Sequence, residues 1–358
     1  MSQEKYQSGS QESTGEMKWI VFPRDIVIGS NVLSELPHVL LELKQGSSIL
    51  IITGEHTRAV AADAACALLK GTYSVEVFLA GPIDEDGIKK AGEAAEGVDL
   101  LIGIGGGRII DTTKIVSYNL DKPFISIPTA ASHDGIVSNR ASIPLGQGNA
   151  SIEAKPPIAV IADTCIIAEA PYRLLASGCA DIISNYTAIL DWELAHRVRG
   201  DHISRYALAI SKMTAEMLVM NADLITPGNP EAVDLVVRAL VSSGMAMSIA
   251  GSSRPASGAE HKFGHAVERL VPGKALHGEI CGIGSIMMMY LHGGDWRSIQ
   301  QSLKTIGAPV TPSEIGIPDS VIVEALLRAK DIRPERFTII DMGLSEKAAE
   351  ELVRLLYT

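Results

Sequence analysis

Three of the nine histidines in the chain fall between Gly258 and Gly284, at spacings that suit a site. His261 and His265 are four residues apart. If HKFGHAVERL is helical, both imidazoles stack on one face, where two ring nitrogens can converge on a cation or a bound substrate. His277 lies sixteen residues beyond His261. Pro272 and Gly273 in the intervening LVPGKAL take the chain out of the first helix, and a second begins at HGEICGIGSIMMMYL with His277 at its mouth. Two helices can then present histidines to one point, although three unrelated histidines on helical surfaces would use the same letters. A carboxylate joined to two imidazoles, with open positions, is the arrangement of a catalytic zinc or iron site rather than a closed structural one. Asp181, in ASGCADIISN, is a candidate third ligand. It follows a Ser-Gly pair and opens a helix whose next face carries Ser184 and Asn185, a position where aspartate also serves simply as a cap.

A second constellation is nucleotide-like. GIGGGRIIDTTK places Gly103, Gly105, Gly106 and Gly107 at the end of a strand with a helix directly after. Backbone amides there can approach a pyrophosphate, which gains the positive end of the helix dipole. The pattern is not GxGxxG, and a tight strand-to-helix turn explains the glycines equally well. Asp111 and Lys114 read as a helical ion pair. PTAASHDG follows another strand end, so Thr129, Ala130, Ala131 and Ser132 belong beside the glycine loop, with Asp134 facing a substrate or capping a helix.

The elements that must position these residues alternate. SILIIT, YSVEVFL, VDLLIGI, KPFISIPT and PPIAVIAD read as strands separated by helical crossovers, preceded by β-like runs at KWIVFP and DIVIGS. This makes a mostly parallel sheet covered on both faces, with HDGIVSNRASIPLGQGNASIEAK as a hairpin or irregular excursion. From Thr164 onward only helical patterns appear. The expected organisation is a solvated tail (1–16), an α/β dinucleotide-binding domain (17–163) and an all-α metal- and substrate-binding domain (164–358), with the ligand in the cleft between the last two.

Composition narrows the function. The net charge of −11 and the lack of a basic run argue against nucleic acid as a partner. Cys66, Cys165, Cys179 and Cys281 form no CxxC pair, which fits inert buried thiols in a reducing compartment and excludes a thiolate zinc ribbon. The first sixteen residues read as neither a signal peptide nor an anchor, and ICGIGSIMMMYL is too short to span a bilayer. The expectation is a cytoplasmic protein without stable membrane insertion.

Taken in order, GGG after the third strand, PT-x-AS-x-D, an Asp-led helix, H-xxx-H and HGE resemble the superfamily of iron-containing alcohol dehydrogenases, glycerol dehydrogenases and dehydroquinate synthases. GGGRIIDTTK, PTAASHDGIVSNRAS, GCADIISN and SRPASGAEHKFGHA are most similar to its archaeal-type sn-glycerol-1-phosphate dehydrogenase branch, and the likeness covers about residues 17 to 350. The resemblance implies a Rossmann-like α/β domain plus an all-α domain in the dehydroquinate synthase-like fold, and a homo-oligomer. It implies reversible reduction of dihydroxyacetone phosphate to sn-glycerol 1-phosphate with NAD or NADP, assisted by one divalent metal, zinc, and supplying the backbone of archaeal ether phospholipids. Asp181, His261 and His277 match the family's metal ligands. Asp134, Asp181 and His265 match catalytic and substrate-contacting positions, while Gly105, Gly106, Gly107, Arg108, Ile109, Ile110, Asp111, Thr129, Ala130, Ala131, Ser132 and Ser138 match cofactor-binding ones.

For such a substrate the phosphate needs a cation, and arginine is the preferred fork. Arg254, seven residues before His261, and Arg140, six after Asp134, are the candidates. The spacing of Arg254 resembles that of an arginine on the substrate's acidic group in dehydroquinate synthases. HxxxH in place of the HxxH usual in glycerol dehydrogenases moves the resemblance away from free glycerol. A polyol dehydrogenase of the same fold, or a ligand-binding protein with a degenerate site, stands as the rival.

Overall fold

Short runs of alternating branched side chains become strands because each can bury both faces of a pleat at once. The computed structural model describes residues 20–144 and 149–357; the tail at 1–16 and the hairpin tip at 145–148 lie outside them. In chain order the α/β part comprises β1 (Asp25–Gly29), α1 (Leu36–Leu43), β2 (Ser48–Thr53), α2 (Glu55–Thr57) continuing through a wider π-type turn into α3 (Asp63–Leu69), β3 (Ser74–Leu79), α4 (Glu85–Ala94), β4 (Leu100–Gly105), α5 (Gly107–Leu120) and β5 (Phe124–Pro128). A hairpin of β6 (Arg140–Pro144) and β7 (Asn149–Glu153) precedes β8 (Ala159–Asp163). Thereafter the elements are helical: α6 (Thr164–Ala168), α7 (Tyr172–Ile183), α8 (Asn185–Arg199), α9 (Arg205–Met220), α10 (Pro230–Ala250), α11 (Ala259–Leu270), α12 (His277–Leu291), α13 (Trp296–Ile306), α14 (Asp319–Arg328) and α15 (Glu346–Tyr357).

Six strands form one parallel sheet in the order β1-β8-β5-β4-β2-β3. Alternation along β2 explains its double burial: Ile49 and Ile51 pack with α1 on one face, Leu50 and Ile52 with Phe124 and Val116 on the other. Each such aliphatic side chain contributes roughly 1.5–3 kcal/mol on burial. The chain passes from β2 to β3 on one side and returns to β4 on the other, so the ends of β2 and β4 flank a topological switch point, where open α/β sheets bind ligands. The glycine run sits there. Asp163 closes the sheet and caps the helical part: its carboxylate accepts from the amides of Asn31, Leu33 and Cys165.

Two expectations need correction. Residues 20–23 of KWIVFP form no strand, and the sheet begins at Asp25. Asp181 does not open a helix; it lies in the last turn of α7, which starts nine residues earlier at Tyr172. The residues of YRLLASGC are themselves helical, and the backbone breaks step at Ser184 before α8 continues. The irregular stretch after Asp134 is the antiparallel hairpin β6-β7. α10 is long and apolar enough to cross a membrane, and most of it is buried in the protein core.

Candidate active site

α7, α11 and α12 meet so closely that their side chains share one point. A Cβ on Gly278 would stand 2.0 Å from the Ser177 carbonyl oxygen, so only glycine lets the first turn of α12 lie against α7. The start of α12 is set by Glu279, whose carboxylate accepts from the Leu276 amide and takes both arms of Arg173. His277 is thereby held at the helix mouth, as the Pro-Gly interruption predicts. His261 and His277 rings are 5.0 Å apart by centroid, His265 and His277 5.4 Å. One ligand atom each from Asp181, His261, His277 and Cys281 lies within 4.8 Å of the others.

Carboxylates behind the imidazoles fix which nitrogen faces the centre. His261 donates Nδ1 to Glu260 (2.9 Å), and Glu260, fully buried, also accepts from the Gly258 amide and Thr187. His277 and His265 donate their Nδ1 atoms to opposite oxygens of one carboxylate, Glu268, at 2.7 and 3.0 Å. With Nδ1 carrying the proton, Nε2 of each ring keeps a lone pair for the site. Burial works against charge on His261 and His277. Even so, the neighbouring Cys281 sulfur, then Asp181 and Glu260 for one ring and Glu268 for the other, hold both well above the ordinary histidine value. Surroundings that favour a proton on those rings favour a metal cation between them. Asp181 supplies the decisive fit: its Oδ1 is buried without a hydrogen-bond partner and lies 3.6 Å from His261 Nε2. A buried carboxylate oxygen in that position is costly unless a cation meets it.

The cleft in front of these residues has a volume of about 290 Å³ and runs from His261, His265 and His277 to Gly107 and Arg108 at the sheet edge. Asp134 lines it. Its amide donates to Asp181 Oδ2 (3.3 Å) and its carboxylate accepts from Ser243 (2.9 Å). Burial, together with the charge of Asp181, pushes Asp134 up to about 7. Burial likewise brings His265 down to about 4 against the pull of Glu268, leaving it neutral near pH 7.

At the nucleotide end each glycine has a separate reason. A Cβ on Gly105 would strike the Ile109 side chain at 2.6 Å and one on Gly107 the His133 Nε2 at 1.9 Å, whereas Gly106 faces open space. Thr129 is tied to this turn by its amide, which donates to the Gly105 carbonyl. Of the predicted nucleotide positions, the structure brings Gly107, Arg108, Asp111 and Ser138 to the cleft. Ile109 and Ile110 are instead core residues, and their amides bond Gly106 O inside the first turn of α5. Thr129, Ala130, Ala131 and Ser132 lie in the loop after β5, behind the cleft's lining.

Three further readings change. Arg254 does not reach the cleft: its guanidinium bonds Asp201 (2.5 Å) and the Phe337 carbonyl (2.8 Å), so it braces two loops. Arg140 does line the cleft, joined there by Arg333, which the sequence analysis did not single out. Lys114 and Asp111 form the helical ion pair and do more, for both are buried and together seize the hairpin: Lys114 Nζ donates to Ser138 and the Arg140 carbonyl, and Asp111 accepts from the Ser142 amide. Finally, Cys165 is exposed, and Cys281 is no inert core thiol, its sulfur being 3.5 Å from His277 Nε2. Both Cys281 and Glu268 carried a legible signal, four residues after His277 and three after His265 on helical faces.

Comparison with known proteins follows the same lines. A family model described as iron-containing alcohol dehydrogenase matches residues 27–171. A glycerol-1-phosphate dehydrogenase (NAD(P)+) from Methanospirillum hungatei is 60% identical over 100% of this chain and 99% of its own length. The chain belongs to the glycerol-1-phosphate dehydrogenase family. A further member, from Methanosarcina acetivorans, is 52% identical over 94% of this chain and 96% of its own. The fold is that of the iron-containing alcohol and glycerol dehydrogenases, the dehydroquinate synthase-like fold. A glycerol dehydrogenase from Schizosaccharomyces pombe matches with a TM-score of 0.80 at 19% identity, over 96% of this chain and 91% of that one. An iron containing alcohol dehydrogenase matches at 0.70 and 18%, over 95% and 98%.

Proposed function

We propose that this protein reduces dihydroxyacetone phosphate to sn-glycerol 1-phosphate, reversibly, with NADH or NADPH. One observation carries the reading: a single cleft joins the Asp181, His261 and His277 convergence to the glycine turn at the sheet's switch point. The family, whose members are named for that activity, supplies the substrate. Asp181, His261 and His277 hold one divalent ion, for which zinc suits the nitrogen-oxygen donor set. When bound, the ion supplies Lewis acidity at the ketone oxygen and the nicotinamide supplies the hydride. The chain's own residues do the rest. Gly107 and the first turn of α5 receive the cofactor's pyrophosphate, with Asp111 and Ser138 beside it. Asp134 and neutral His265 orient the substrate's hydroxyl and relay the proton to the alcohol oxygen. Glu268 and Glu260 keep the imidazoles turned correctly.

The reading divides the chain into a nucleotide domain (17–163) and a metal- and substrate-binding domain (164–358). It makes the protein a cytoplasmic homo-oligomer that supplies the glycerol backbone of ether phospholipids, without a nucleic-acid partner or membrane insertion. The test is a steady-state assay of purified protein on dihydroxyacetone phosphate, dihydroxyacetone and glycerol with both cofactors, with chiral analysis of the product and metal analysis of the protein. Wild type carries one metal ion per chain and prefers the phosphorylated ketone. His277→Ala loses metal and at least about 10²-fold in turnover while remaining folded, since it removes one of the two imidazoles that hold the ion. A metal-free preparation with full activity, or a preference for free glycerol, defeats the reading.

A further inference from the structure

Arg333 is an arginine in an unusual backbone state. Its φ is +48°, the left-handed region that side-chain-bearing residues rarely adopt, and Pro334 restricts it further. A turn from the Arg336 amide to the Arg333 carbonyl (2.9 Å) holds it there. Strain of this kind persists where the surrounding structure insists on it, and Arg333 lines the cleft. There Arg333 makes one hydrogen bond, from Nη1 to Ser253 (3.3 Å), and among the described residues it forms no ion pair. Arg254, by contrast, is neutralised by Asp201.

Two further arginines stand near it, with Glu335 the opposing charge. Arg336 packs behind, donating to Ser253 (2.8 Å) and to the Ser257 carbonyl (2.7 Å), and among the described residues it forms no ion pair. Arg140 lines the same cleft from β6. Burial, and then the charge of Arg140, brings Arg333 down to about 10. In a chain of net charge −11, cations gathered this way, desolvated and facing a cavity, are an anion site: a ligand of opposite charge removes their mutual repulsion. Ser253, which Arg333 bonds, and Ser257, whose carbonyl Arg336 bonds, both line the cleft just before α11, so the arginine stands beside the helix that carries His261 and His265.

We infer that Arg333, backed by Arg336 and flanked by Arg140, is the fork that grips the substrate's phosphate and makes the site select a phosphorylated three-carbon ketone over the unphosphorylated one. This rests on the dihydroxyacetone phosphate reading above. Planar donors suit two phosphate oxygens at once, and the Ser253 hydroxyl, already held by Arg336, orients the fork.

The experiment uses metal-loaded full-length protein and compares kcat/KM for dihydroxyacetone phosphate with that for dihydroxyacetone. Arg333→Ala lowers the ratio of the two by tenfold or more, about 1.4 kcal/mol. It weakens competitive inhibition by inorganic phosphate by a similar factor and leaves NADPH affinity unchanged. A folded variant with the wild-type ratio overturns the inference, as does one whose loss lies in NADPH affinity with the ratio intact. Arg333→Lys covers the case in which the alanine variant does not fold. It keeps the charge but loses the fork, so the ratio falls by a smaller factor, and an unchanged ratio again overturns the assignment. If wild type itself shows no preference for the phosphorylated ketone, the proposed function fails instead.

Discussion

The proton positions at this site are decided by the carboxylates behind the imidazoles. Glu268 is the most consequential, because one side chain accepts from both His265 and His277. Burial would raise its carboxyl, yet the charge of His277 and the bonds from both rings hold it far below the usual range. An amide cannot replace it. In Glu268→Gln the side chain can accept from one imidazole only, and its NH2 faces the other, turning that ring to the tautomer whose Nε2 carries the proton. If the displaced ring is His277, a hydrogen stands where a lone pair is needed. Metal affinity falls about 10–100-fold, the usual cost of losing such a partner. Competition with a chromophoric chelator measures it. Wild-type affinity in the glutamine variant would mean that Glu268 only packs.

At the scale of elements, β4, its glycine turn and α5 form the nucleotide end, and the three glycines differ in what they allow. Gly105 and Gly107 are required by Ile109 and His133, whose atoms a Cβ would meet. Gly106, at the N-cap of α5, meets nothing within 4 Å, so its missing side chain serves what arrives from outside. Gly106→Val therefore keeps its thermal midpoint but weakens NADH and NADPH binding by about tenfold or more, since the branched side chain stands where a pyrophosphate must approach. Fluorescence titration reads the affinity. Unchanged binding in the folded variant would move the cofactor off this turn. Lys114 and Asp111 carry α5 into the same architecture, clamping the hairpin strand that bears Arg140.

For the whole molecule the consequence lies in how the site joins its parts. Asp181 comes from α7, His261 from α11 and His277 from α12, all packed around one core that includes Cys179, Phe263 and Ile283. A metal ion binding there stabilises the folded state by mass action, about 2.7 kcal/mol at a hundredfold excess over its dissociation constant. Chelation accordingly lowers Tm by several degrees. Hydrogen exchange locates the effect: amides of α7, α11 and α12 lose protection while those of β2 and β4 do not. A chelated protein with unchanged Tm and exchange would show that the ion contributes nothing to the fold.

What the sequence determined by itself is what local periodicity and short spacing encode. Alternating apolar runs predict β2, β4, β5 and β8 within two or three residues, because burial on both faces leaves a pattern independent of any partner. HxxxH on one helix and the Pro-Gly break before HGE likewise bring three histidines together, since helix geometry alone sets their direction. The tertiary structure decided everything that depends on distant packing. The Ser-Gly pair before Asp181 reads locally as the start of a helix, whereas in the folded chain Ser177 and Gly178 lie within α7, packed against Gly278 of α12 and Ala131 of the loop after β5, and Asp181 falls in its last turn. Nor does spacing tell Arg254 from Arg333: the first lies near His261 in sequence but is consumed by Asp201, whereas the second comes from more than seventy residues downstream to face the cleft. A charge is available to a ligand only when no internal partner claims it, and which partners meet is fixed by the folded chain.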